Sequence, residues 1–225
     1  MQDLKSKPIL KLDWCSHKAA KYACENWHYS KTTPVGKLVK IGVWEDGKFI
    51  GVVLYGRGAN KSLMSQFNMR VDQGCELVRV ALRKHKTQVS RILSISRKML
   101  KKISPNLELV VSYSDTNQGH HGGIYQADNW CYLGLNKGSS YELQDKDGSW
   151  KHPRSINAKY GSEKGFKKRK LKPKHLYVKP LNNKLEFNSK KYPKRVEHES
   201  NASSYQLEES GAIPTSSLHS SKGKV

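Results

Sequence analysis

Residues 75–115 read CELVRVALRKHKTQVSRILSISRKMLKKISPNLELVVSYSD and carry three patterns in succession. Cys75 to Arg83 alternates and is rich in valine and leucine, which predicts a central strand. Val78, Val80 and Leu82 point one way. Leu77, Arg79, Ala81 and Arg83 point the other, with Glu76 opposite the arginines. Arginines on an otherwise apolar strand need partners: either they cross an edge into solvent or they line a site that holds anions. A helix starts near Thr87. Val89, Ile92, Leu93, Ser96, Met99, Leu100 and Ile103 step by three and four along its inner face. Arg91, Arg97, Lys98, Lys101 and Lys102 form its outer face, and Pro105 stops it. Leu107 to Tyr113 is the next strand. Strand, helix and strand in this order predict a right-handed parallel crossover. A ligand crevice then lies beyond the carboxyl ends of the two strands, at Arg83 and Asp115.

On the far side of that strand, Ser112 to Trp130 reads SYSDTNQGHHGGIYQADNW. No core needs so many polar, titratable and glycine residues directly after a buried strand, and loops at strand ends are where binding and catalytic groups sit. A short helix carries Tyr125 and Trp130, and Cys131 to Leu135 is a further strand. Towards the amino end, Lys5 to Leu12 alternates as a first strand. Ser16 caps a helix with Ala19, Ala20, Ala23 and Trp27 inward and Lys18, Lys21 and Glu25 outward. His28 and Tyr29 follow at its end. A histidine there is favoured by the helix dipole alone, which is its ordinary reading. Leu38 to Trp44 and Phe49 to Tyr55 form a hairpin around Glu45-Asp46-Gly47-Lys48, since Asp-Gly is a strong hairpin signal. Ala59 to Gly74 is a long polar loop. The core order predicts an α/β domain with a mixed sheet flanked by helices.

The chain has 225 residues, a net charge of +22 and 36% apolar residues. Such a surplus points to a polyanionic partner, nucleic acid before a lipid surface. No apolar run approaches the ~20 residues of a membrane span, and the amino terminus lacks a signal-peptide core. These features predict a cytoplasmic protein with no membrane partner; nothing in the pattern sets an oligomeric state. Cys15, Cys24, Cys75 and Cys131 form no CxxC pair and read as reduced, buried thiols. From Asn136 to Lys174 the chain is very basic, densest near residues 160–175 and at Lys167, Lys168, Arg169 and Lys170. Trp150, Tyr160 and Phe166 are interleaved there. The segment is either a disordered basic linker or a surface that tracks phosphates and stacks on bases. Leu176 to Leu181 is a last strand, which Pro180 confines to an end or an edge of the sheet. These features predict a folded domain over residues 1–187 and a disordered polar tail over 188–225.

WHYSK (27–31), GVWEDGKFIGVVLYGRGAN (42–60), CELVRVALRKH (75–85), SRILSISRKMLKK (90–102) and SYSDTNQGHHGGIYQADNW (112–130) together resemble the Mom family of phage DNA-modification proteins. The resemblance covers about residues 27–181. It implies an acetyltransferase-like (GNAT) fold. It also implies conversion of adenine in double-stranded DNA to N6-carbamoylmethyladenine, which protects phage DNA from host restriction. The family's essential residues match His28, Tyr29, Asp115, Tyr125 and an arginine, Arg79 or Arg83. A small-molecule or CoA-linked donor is implied, with acyl-CoA and iron both suggested. In such folds the central strand leads into a helix whose N-terminus holds the CoA pyrophosphate. Here that turn is RKHKTQVS, without the glycine-rich Q/R-x-x-G-x-G/A that lets backbone approach phosphate. Arg79, Arg83, Lys84, Ser90 and Arg91 are the cofactor-binding candidates, with Lys86 adding charge. His28, Asp115, His120 and His121 are the metal candidates, since histidine with carboxylate suits non-haem iron. Neighbouring histidines point apart, however, if the backbone there is extended. Adenine N6 is out of reach inside a duplex, so the base must be flipped and received by aromatics, here Tyr29, Tyr125 and Trp130. Two other readings stay open. One is an acetyltransferase of the same fold acting on an amine or protein, which would turn over acetyl-CoA without DNA. The other is a non-catalytic DNA-binding protein, which would leave DNA covalently unchanged.

Overall fold

The structure is a computed structural model that describes residues 7–57, 63–136 and 141–195. One compact unit runs to Arg195. Ala59 to Ser62 of the long loop and the tail beyond Arg195 lie outside the described residues. No helix among the described residues is long and apolar enough to cross a membrane.

The chain forms β1 (Leu10–Trp14), α1 (His17–Trp27), β2 (Leu38–Glu45), β3 (Lys48–Gly56), β4 (Gly74–Leu82), α2 (Val89–Ile103), β5 (Leu109–Ser114), α3 (Gly123–Gln126) and β6 (Cys131–Leu135). Then come β7 (Tyr141–Gln144), β8 (Trp150–Lys151), α4 (Pro153–Tyr160), β9 (Lys168–Lys170) and β10 (His175–Pro180). Seven strands make a mixed sheet in the order β1-β2-β3-β4-β5-β10-β6. Only β4 and β5 run parallel, joined by α2 as the crossover pattern requires; every other neighbour is antiparallel. This is the α/β mixed sheet flanked by helices that the sequence predicts.

Local chemistry explains most of the elements. Ser16 Oγ accepts the Ala19 N–H at 3.1 Å and starts α1. The small residues Ala20, Ala23 and Cys24 let α1 lie close on Val52, Leu54 and Ala81. The β2–β3 turn has both Asp46 (φ 50°) and Gly47 (φ 76°) in the left-handed region, the geometry that matches strand twist. All four cysteines are free; Cys24 is buried and the others are half-buried.

Four sequence readings change. First, β4 carries a bulge: Leu54 pairs with Arg79 but Tyr55 pairs with Leu77, leaving Val78 as an extra residue. Leu77 therefore joins Val80 and Leu82 in the cluster under α2, and Glu76 shifts to the face of Arg79. Second, Arg97 lies inward and Ile103 outward. Arg97 falls on the stripe of Leu93 and Leu100, and its guanidinium forms a bidentate pair with Asp128, both side chains 8% exposed. Third, the last strand is internal. β10 sits between β5 and β6, and Pro180 is only its end. The sheet edge at β6 is covered by the chain after Phe187, read from sequence as tail. Lys190 N–H bonds Tyr132 O at 2.8 Å, Ser189 Oγ accepts the Tyr132 N–H, and Tyr192 OH bonds Trp130 O.

Fourth, the basic segment is not featureless. β8-β7-β9 form a small antiparallel sheet backed by α4. Leu143 and Ile156 are buried, and Asp145 ties the unit by accepting from Tyr160 OH at 2.6 Å and Lys159 Nζ at 3.1 Å.

Candidate active site

The pairing of β4 with β5 covers only Gly74–Leu109, Cys75–Val110 and Glu76–Val111. Past the bulge the two strands part, and the opening lies between Leu77 and Ser112. Ser112 Oγ bridges its floor, 2.8 Å from Leu77 O and 2.8 Å from the Tyr125 hydroxyl. The serine has one proton and the carbonyl only accepts, so the tyrosine is left to donate to the serine oxygen. Ser112 was not singled out from sequence. Its signal was a hydroxyl inside an apolar strand, which must find a partner when buried.

Tyr125 is held by rings: Trp130 at 5.1 Å and Tyr177 at 5.0 Å between centroids. Burial pushes its hydroxyl up to about 12, so it stays protonated at neutral pH and serves as a hydrogen-bonding group. Trp130 is 0% exposed, and its indole N–H bonds Asp128 Oδ2 at 2.7 Å. It is a core residue and cannot receive a flipped base. Gly122 is required here: at φ +84° a Cβ would lie 2.3 Å from the Tyr177 ring. Gly122→Ala is expected to lose about 2–4 kcal/mol, from the left-handed backbone and the overpacked ring together, read as a lowered urea midpoint at unchanged m-value.

On the α1 side, His28, Tyr29, Arg79, Asp115 and His120 converge. The Tyr29 ring lies 4.2 Å from His28 and 5.0 Å from His120, centroid to centroid. Tyr29 is 45% exposed. Burial, and then the Asp115 charge, raise its hydroxyl, which also hydrogen-bonds Arg79. Arg79 Nε is buried with no hydrogen-bond partner, so the opening keeps a desolvated donor ready. Burial, then the charges of Arg79 and His120, lower His28 to about 4. His28 is thus neutral, and its Nδ1 accepts the Ser30 N–H at 3.1 Å, which leaves the proton on Nε2.

Asp115 ends β5. Its Oδ1 accepts from Asn117 N at 3.0 Å and Asn117 Nδ2 at 2.9 Å, and Oδ2 faces Lys174 Nζ at 3.4 Å. Burial alone would raise this carboxyl. The Asn117 bonds and the Lys174 charge outweigh it and hold it below its usual value. Lys174 was read only as one of a basic run. Two more bonds stitch the stretch after β9 to the Asp115 loop, and a third ties it to Asn136 after β6. Lys172 N–H bonds Asn117 Oδ1, Thr116 Oγ1 bonds Pro173 O, and Lys174 N–H bonds Asn136 Oδ1.

The other candidates separate. Arg83 leaves this group and stacks on Trp27 at 5.8 Å. Lys84, Ser90 and Arg91 belong to the turn into α2 and its first residues, with Lys84 and Arg91 exposed. Lys167, just before β9, and Lys168 and Lys170 within it are exposed, whereas Arg169 is paired with Glu142 at 2.6 Å and stacked on Trp150 at 4.5 Å. Lys168 lies over Tyr141 at 3.5 Å.

Neither implied cofactor finds a built seat among the described residues. Among the described residues no three His, Cys, Asp or Glu side chains group as metal ligands. His28 Nδ1 is taken by Ser30, and both Asp115 oxygens are engaged. The His121 side chain lies towards Gly123, while His120 meets Tyr29. These residues do not fit iron. At the turn into α2, where CoA pyrophosphate would bind, Glu45 accepts the backbone N–H groups of Lys86 and Thr87. That turn does not fit CoA either.

The chain is 28% identical over 161 residues to the methylcarbamoylase Mom of Escherichia phage Mu. The match covers 69% of this chain and 66% of that protein, just under two thirds of its length. Among solved structures it is similar to an acetyltransferase from Acinetobacter baylyi ADP1, at TM-score 0.43 and 11% identity over 83% of this chain and 100% of that one. It is also similar to a phosphinothricin N-acetyltransferase, at TM-score 0.45 and 9% identity over 77% and 99%. The model of the Mom protein family matches residues 9–194, which take in the opening, its floor and the strap over β6, and the chain belongs to that family.

Proposed function

We propose that this protein is a transferase that converts adenine in phage DNA to N6-carbamoylmethyladenine and so shields the DNA from host restriction. The observation that carries the reading is the meeting of Tyr29, Arg79 and Asp115 at one opening, with a basic strand tied directly to the Asp115 loop. Family membership and the phage Mu relative support the same chemistry, and the +22 charge suits a polyanionic substrate.

The target base leaves the duplex. Lys167, Lys168 and Lys170 follow the phosphates, with Lys172 and Lys174 continuing that line to the opening. Tyr29, half-exposed between two histidine rings, offers a stacking face to the base. At the reacting atom, N6 forms one C–N bond to the methylene carbon of the donor, the donor's leaving group departs with its electron pair, and N6 gives up one proton. Asp115, ionised at neutral pH, accepts that proton. Arg79 Nε donates to the polar group of the transferred unit. Tyr125 holds the floor.

Mass spectrometry of nucleosides from plasmid DNA of expressing cells tests the reading. A deoxyadenosine heavier by one carbamoylmethyl group supports it; unmodified DNA beside soluble, folded protein sinks it. The Lys174 contact adds a pH signature. Lys174 helps hold Asp115 low, so removing the ammonium raises the Asp115 pKa. In Lys174→Met the acid limb of the pH–rate profile is expected to move to higher pH, and Lys174→Arg restores it. An unmoved limb in folded Lys174→Met would separate Lys174 from the proton step.

A further inference from the structure

We infer that the anion seat at the start of α2 is held by this chain's own Glu45, so that the donor is not a CoA thioester bound there through its pyrophosphate.

The turn from β4 into α2 is where a strand–turn–helix unit offers backbone N–H groups to an anion. Laying Q/R-x-x-G-x-G/A on Arg83–Gln88 puts Lys86 and Gln88 at the two small-residue positions. The Lys86 and Thr87 N–H groups therefore belong to the run of donors that would cradle phosphate oxygens, and both are taken. Glu45, the last residue of β2, is 8% exposed. Its Oε1 accepts from Thr87 N at 2.7 Å, Thr87 Oγ1 at 2.7 Å and Lys86 N at 3.2 Å, and its Oε2 from Lys86 N at 2.9 Å. Burial alone would raise this carboxyl, but the Thr87 hydroxyl and the two backbone groups outweigh it, so it is ionised at neutral pH. Gln88, the N-cap of α2, supplies no side-chain cap, and the Glu45 carboxylate sits on the N–H groups of the two residues just before it.

Two physical consequences follow. A carboxylate tethered on a rigid hairpin competes at an effective concentration of roughly millimolar or more without any free ligand. A pyrophosphate arriving at the same turn also meets a like charge in a partly dry site. The lysine side chains nearby attract anions in general but do not restore the two occupied N–H groups.

The inference concerns the donor half of the proposed reaction and is tested without DNA, so its failure and the failure of the DNA reading are separate observations. Full-length protein, labelled with nitrogen-15, is titrated with CoA and, separately, with inorganic pyrophosphate. The expected result is that the Lys86 and Thr87 amide signals stay in place up to millimolar ligand. In Glu45→Ala those amides are freed, and pyrophosphate affinity is expected to rise at least about ten-fold. Glu45→Gln, which keeps the shape and loses the charge, serves if Glu45→Ala does not fold. Micromolar CoA binding to the wild type that moves the Lys86 and Thr87 amides overturns the inference. So does a folded Glu45 variant whose pyrophosphate affinity does not rise.

Discussion

Asp115→Asn is expected to lower adenine modification by about 10²- to 10⁴-fold, the range that general acid–base groups contribute, with little change in stability. Asparagine keeps an oxygen for the Asn117 N–H that caps the turn after β5. It loses the charge that faces Lys174 and that would accept the N6 proton. The Lys174 contact is half-exposed on the lysine side, so its loss costs little stability, as for surface pairs in general. Modification of plasmid adenine, scored by nucleoside mass spectrometry at matched protein levels, gives the answer. Retained full modification would remove Asp115 from the chemistry. The sign of the pH effect follows from the same carboxyl. A group held below its unfolded value, near about 4, contributes stability above that pH and loses it as pH falls through the folded value.

Arg97→Met is expected to cost about 3–5 kcal/mol, because it leaves the Asp128 carboxylate buried without its bidentate partner; the Lys179 ammonium nearby bonds the Asp128 carbonyl at 2.9 Å. Asp128 is enclosed by Arg97 and the Trp130 indole N–H, and Trp130 fixes the ring stack around Tyr125. Arg97→Met with Asp128→Asn is expected to cost less than the sum of the two single changes. The coupling appears in a double-mutant cycle of urea unfolding. Additive losses would show that the pair is not the fastening between α2 and the turn after α3.

These two expectations differ in how far the chain itself announced them. The position of Asp115 at a strand end was legible because polar side chains and glycines coincide there. The Asp-Gly hairpin, the Ser16 cap and the parallel crossover were legible for the same reason: each is written in neighbouring residues. Arg97 was misread because its charge was weighed above its spacing, although it lies on the Leu93–Leu100 stripe. The Val78 bulge is a one-residue slip, which alternation along a single strand does not reveal, and it changed the face assigned to Glu76. The place of β10 inside the sheet is a matter of pairing between distant segments. The strands of the small basic sheet are two to four residues long, too short to leave a pattern. Glu45, Ser112 and Lys174 share a further difficulty: each takes its role from a partner remote in sequence.

The strap formed by Ser189, Lys190 and Tyr192 has a bearing on solution behaviour. β6 is the last strand of its sheet, and an uncovered last strand offers a ladder of donors and acceptors to any other extended chain. Lys190 and Ser189 engage both the N–H and the carbonyl of Tyr132, which closes that ladder from within the same molecule. A chain shortened to residue 187 keeps every strand and helix yet gains a sticky border, the starting point for strand exchange or aggregation. The segment that carries this strap belongs to the compact unit, which runs to Arg195.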